Sequence, residues 1–279
     1  MKKKQFYPTL KEACGKFRDN WKNVIIIMLI DITFFICIAG AFTGAWNNSF
    51  FHVNRVMDLM DAEMGDLADA QSQEQLQALA ANYDVFMEQY NQIAKYVITF
   101  LITTVLCWMV FQGVNWHLTK TALAKKRHKF LPYIGKFTAV SAFWWLIFIF
   151  VFGFGMKMSF YSSVSTFPFL LQGVSGAVRI ILMLAVFYLA YTSFALLPGY
   201  KLKESFKAVW STARKKYELL APSYAFMAVV LVGEYFFFLK SFIFGYYAPI
   251  LFALVIIFPT IAWTRFYAII ISSKKEELE

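Results

Sequence analysis

Charge is what this chain has least of: 16% of its 279 residues are Asp, Glu, Lys or Arg, whereas 59% are apolar and 20% aromatic. A water-soluble domain of this length needs more polar surface, so lipid is expected to be the solvent for much of it. Histidine and cysteine are scarce, at three each. His52, His117 and His128 have no HExxH spacing, no glycine-rich phosphate loop follows a strand, and no serine stands in a GxSxG elbow. Catalysis is therefore not expected. Cys14, Cys37 and Cys107 have no metal-ligand spacing, and no metal or cofactor is expected either.

The seven prolines are confined mostly to one kind of place. A proline inside a helix removes a hydrogen bond and clashes with the preceding turn, so prolines mark helix ends. Between them lie six apolar runs, at 24–45, 96–117, 135–156, 173–197, 221–241 and 249–272, each long enough to cross a hydrocarbon core of about 30 Å as a helix. Pro8, Pro132, Pro168, Pro198, Pro222 and Pro249 fall in connections or first turns. Pro259 alone lies mid-span and is expected to kink the last helix near the freed carbonyl of Val255. The fold class expected is all-α: a single polytopic membrane domain over 1–279, with six transmembrane helices arranged as three hairpins. The first run follows a polar segment and is longer than a signal h-region, so it is expected to be retained.

Basic residues are segregated. Lys2, Lys3, Lys4, Lys11, Lys16, Arg18 and Lys22 precede the first run; Lys120, Lys125, Lys126, Arg127, Lys129 and Lys136 join the second to the third. Lys201, Lys203, Lys207, Arg214, Lys215 and Lys216 join the fourth to the fifth. The connection at 46–95 is acidic instead, with Asp58, Asp61, Glu63, Asp66, Asp69, Glu74, Asp84 and Glu88 against Arg55 and Lys95. Lysine and arginine near span ends stay in the cytoplasm. Both termini are therefore expected inside the cell membrane and the acidic connection outside. Without a folded basic domain beyond the membrane, nucleic-acid binding is not expected.

Two basic segments look like variants of one element, "LKEACGKFRDNWK" from Leu10 and "LKESFKAVWSTARKKY" from Leu202. Leu10, Cys14, Phe17 and Trp21 recur at helical spacing, as do Leu202, Phe206, Val209, Ala213 and Tyr217. Thr9 and Glu12 read as a capping box opening the first helix. Segments 1–23 and 198–220 are expected to lie as amphipathic helices in the cytoplasmic headgroup layer, drawn to anionic lipid, with 118–134 a looser third copy.

In the acidic connection, Phe50, Val53, Met57, Met60, Met64 and Leu67 follow a 3-4 spacing, and so do Leu76, Leu79, Tyr83, Phe86, Tyr90 and Ile93. Folding between residues 70 and 75, with Ser72 and Gln75 as a second capping box, pairs the two stripes as the seam of an antiparallel coiled-coil hairpin. Gly40 and Gly44 form a GxxxG pair that reads as close helix packing.

Ionisable groups inside spans are costly and point to function or to internal pairing. At 1.5 Å per residue, Asp31 and Arg265 both lie about 10 Å from the inner ends of their spans, and Glu234 and Arg179 about 20 Å. Depth thus expects the pairs Asp31–Arg265 and Glu234–Arg179, with Gln112 and Asn115 supporting Asp31. Two functions fit: a scaffold or assembly factor whose outer hairpin docks an envelope protein, or a small transporter or channel using Asp31 and Glu234.

Overall fold

The structure is a computed structural model that describes the backbone of residues 3–67, 73–123, 129–163, 168–197, 202–245 and 247–273. Within these, it describes the side chains other than those of 3–5, 59–82, 156, 158–173, 175, 202–203 and 244. Every regular element described is helical. In order they are α1 (Lys3–Asp19), α2 (Trp21–Leu67), α3 (Gln73–Cys107), a π turn (Trp108–Gln112), α4 (Gly113–Leu123), α5 (Phe130–Ser163) and α6 (Pro168–Leu196). After them come α7 (Leu202–Lys215), α8 (Tyr217–Ser241), a 3₁₀ turn (Phe242–Phe244), α9 (Ala248–Phe252), a second π turn (Ala253–Ile257) and α10 (Phe258–Ser273).

Six stretches are long and apolar enough to cross a membrane: Trp21–Asp58, Tyr83–Leu123, Phe130–Gly155, Gly176–Leu196, Tyr217–Ser241 and Ala248–Ser273. The last differs from the rest. Half of its most apolar window, 50%, is covered by protein, against 22% or less in each of the others. Every residue from Thr264 to Ser272 is buried, as expected of a helix apolar all round and packed on several sides. α10 accordingly touches α1, α4, α6 and α8.

The chain divides into two compact units, Met1–Ile32 with Met109–Glu279, and Thr33–Trp108. In the first, α5 packs along α6, and Val24, Ile27, Ala262 and Phe266 form an apolar cluster with Phe17, Met28 and Leu118 around it. α1 begins at Lys3 and contains Pro8, so the Thr9–Glu12 pattern lies inside the helix and does not start it. Its inward face also differs from the expected one. Thr9 and Ala13 are buried, Phe17 meets Phe266 edge-on at 5.6 Å, and Cys14 and Trp21 are exposed. Neighbouring helices offer α1 an apolar surface, so its apolar side chains turn to protein. α7 does the same through Val209 and Ala213, while Trp210 and Tyr217 stay exposed.

In the second unit, Phe34 meets Trp108, Phe42 meets Phe100, and His52 hydrogen-bonds Gln89. One index rises as the other falls, the order antiparallel helices give. The face, however, is not the expected seam. Phe50, Val53, Met57, Tyr83 and Tyr90 are exposed; Phe86 and Ile93 are half-buried; Met60, Met64, Leu67, Leu76 and Leu79 lie outside the described side chains. Gln89 is buried in their stead: His52 Nδ1 lies 2.6 Å from its Oε1, and the His52 ring stacks on Tyr96. A buried polar group gains most by finding a polar partner, so the His52–Gln89 contact takes the inward position and the apolar side chains beside it face out. Gly40 and Gly44 are likewise open, with nothing within 4 Å of where a Cβ would stand, so among the described residues the GxxxG pair packs no neighbouring helix.

Candidate functional site

The stripe that turns α2 inward runs Val24, Ile27, Asp31, Phe34, spaced by three and four. Apolar burial therefore carries Asp31 with it, because the carboxyl occupies a position that helical geometry dedicates to the interior. Gln112 and Asn115 reach the same level from the first π turn and α4, and Arg265 from α10. Asp31 is 0% exposed and Arg265 2%.

The four side chains close on one another. Arg265 Nη1 donates to Asp31 Oδ2 and Nη2 to Oδ1, both at 2.7 Å, a two-pronged guanidinium–carboxylate pair. Oδ1 also accepts from Asn115 Nδ2 at 2.8 Å and from Gln112 Nε2 at 3.1 Å. Gln112 turns its own Oε1 back to Arg265 Nη2 at 2.6 Å, so it serves both charges. Asn115 Oδ1 is the one amide oxygen left without a donor. Trp116, next to Asn115, meets Tyr191 edge-on at 5.1 Å; Tyr191 in turn shares a hydrogen bond of 2.8 Å with Thr264, next to Arg265. These rings wall the cluster from solvent.

The depth-matched partner of Glu234 is a different story. Glu234 Oε1 accepts from Thr260 Oγ1 at 2.6 Å, and Oε2 has no partner. Arg179 is exposed, its stem laid across Gly155 of α5, where a Cβ would come within 2.6 Å of Arg179 Cδ. The Glu234–Arg179 pair does not form, because equal depth fixes one coordinate and leaves the direction around each helix open. Phe258 separates Pro259 from the second π turn, and its N–H reaches five residues back to Ala253 O. The expected break at Val255 thus takes the form of a widened turn.

Several polar contacts had weak or no signals in the sequence. Trp144 Nε1 donates to Ser193 Oγ, Thr192 Oγ1 to Tyr224 Oη, and Tyr267 Oη to Ser223 Oγ, at 3.0, 3.3 and 3.0 Å. The run Tyr191-Thr192-Ser193 inside an apolar span was the available clue. Lys120 Nζ donates to Ala195 O at 3.4 Å and Lys216 Nζ to Ser272 O at 3.3 Å, each at the closing turn of a helix. Cations suit the carbonyl end of a helix dipole, so part of the basic residue set is occupied within the protein.

By class, the chain is all-helical with six helices of membrane-crossing length and composition. Among the described residues, no three His, Cys, Asp or Glu side chains converge to hold a metal ion. Comparison with known proteins finds no matching family model, no matching curated protein and no matching solved structure.

Proposed function

We propose that this is a non-catalytic multi-pass protein of the cell membrane, a scaffold or assembly factor. In this reading three helical hairpins are built from six spans, with both termini cytoplasmic, and the hairpin at 46–95 stands outside to dock an envelope protein. One observation carries it: Phe50, Val53, Met57, Tyr83 and Tyr90 are exposed and do not close on each other. An apolar stripe that continues beyond the runs expected to cross at 24–45 and 96–117, onto an otherwise acidic hairpin, is a surface for a partner. Methionine and tyrosine suit this role, the first adapting its shape and the second presenting a rigid face with a polar tip. On the inner side, exposed Lys207, Trp210 and Arg214 of α7 face outward together and would meet anionic headgroups.

Capture of partners from mild detergent, with wild type and with Met57→Glu plus Tyr90→Glu, tests the docking face. Both positions are exposed, so the variant is expected to fold as wild type does and to lose its envelope partner. An unchanged partner set would refute the reading. The transporter or channel reading cannot use Asp31, which is fully occupied; what favours it is Glu234.

A further inference from the structure

Glu234 is a carboxyl within a helix of membrane-crossing composition, with one neutral donor and no counter-charge among the described residues. Its surroundings explain why no internal cation settles it. α9 and the second π turn, which pack against α8, carry no ionisable residue. On α10, Arg265 is committed to Asp31 and Gln112, and Tyr267 Oη donates to Ser223. On α8 itself, Tyr235 and Lys240 are exposed. On α1, Phe6 meets Phe226 of α8, and the ionisable side chains described on α1 and on α7, which also packs against α8, are exposed.

The same seam carries a second polar feature. Pro259, next to Thr260, has no N–H, so one carbonyl of the preceding π turn loses its helical donor. Thr260 thus brings Glu234 Oε2 to the turn where Pro259 frees a carbonyl, and oxygen acceptors without donors suit a cation. A bare carboxylate is too costly at such a place without a positive charge.

We propose that Glu234, Thr260 and the break before Pro259 form an intramembrane site for a small hydrated cation, either a proton or an alkali ion. Glu234 Oε2 takes the positive charge, and Thr260 Oγ1 holds Oε1 in place. The site is independent of the docking face on the outer hairpin.

A hydrophobic carbodiimide tests this, since it modifies carboxyls that carry a proton in an apolar setting and spares ionised or ion-paired ones. Purified full-length protein in detergent would be treated at neutral pH in choline, potassium or sodium salt, and the modified peptide found by mass spectrometry. Glu234 should be modified and Asp31, held by Arg265, should not; Glu234→Gln should abolish the adduct. Sodium or potassium slowing the reaction several-fold against choline assigns the alkali ion, and Thr260→Ala should then remove that protection. Equal rates in all three salts assign the proton. Absence of an adduct at Glu234 in all three salts, or an adduct shared equally with Asp31, overturns the site. Glu234→Gln preserves the acceptor for Thr260, so an unaltered gel-filtration profile for it separates loss of the site from loss of the fold.

Discussion

Asp31 accepts four hydrogen bonds, three at Oδ1 and one at Oδ2, two of them from one guanidinium, so its charge is met inside the protein. Such a cluster is a fastener between helices, and its two charges are not equivalent when one is removed. A carboxyl can neutralise itself by taking up a proton, whereas a guanidinium cannot shed one. Asp31→Asn therefore strands a permanent cation at a site 2% exposed, and Arg265→Gln strands an acid still served by Gln112 and Asn115. Breaking a buried pair costs about 3–5 kcal/mol. Asp31→Asn is expected to lose the upper part of that range, read as monodisperse yield and melting temperature in detergent, and Arg265→Gln the lower. The exchange Asp31→Arg with Arg265→Asp should recover part of the loss. An exchange worse than the two single losses added together would show that the residues do not act as a pair.

Helix faces are where lipid changes the rules of reading. Gly40 and Gly44 match a packing motif, yet each opens onto empty space, whereas Gly113 sits where a Cβ would come to 3.0 Å from Phe137 Cδ1 and 3.1 Å from Ile134 Cδ1. Alanine at Gly40 should then raise the melting temperature, by the helix-propensity gain of about 0.5–1 kcal/mol. Alanine at Gly113 should lower it, since overpacking costs about 1–3 kcal/mol. A destabilising Gly40→Ala would mean that this face is covered in the folded protein. Span number and the Asp31–Arg265 contact were legible because both follow from one-dimensional quantities, the length of apolar runs and depth along a helix. Glu234 and Arg179 shared a depth as well, but direction around the helix is set by which side chains its neighbours offer. Thr260 and Gly155 could not be chosen from spacing alone. The stripe Phe50, Val53, Met57 was legible as apolar and misread as interior, because a heptad pattern says nothing about which solvent lies outside.

At the scale of the whole molecule, orientation follows from where the charges lie. Its charges are arranged to decide it. Basic residues collect before α2, between α4 and α5, and between α6 and α8, whereas acids dominate the connection of α2 to α3. The lysine contacts agree with this alternation: Lys120 closes on Ala195 O near the end of α6 and Lys216 on Ser272 O near the end of α10, so the ends of two even-numbered spans meet basic segments. Positive charge near span ends is retained in the cytoplasm, so the orientation proposed here has the acidic connection outside. In a background with Cys14, Cys37 and Cys107 changed to serine, Asp69→Cys should react with a membrane-impermeant maleimide in intact cells. Lys126→Cys should react only after permeabilisation. Reaction of Lys126→Cys alone in intact cells would invert the topology and take the docking reading with it, since the exposed stripe from Phe50 to Tyr90 would then face cytoplasmic partners. Reaction of both in intact cells would mean that the chain does not hold one orientation, and that the lysines at Ala195 and Ser272 serve the helix ends alone.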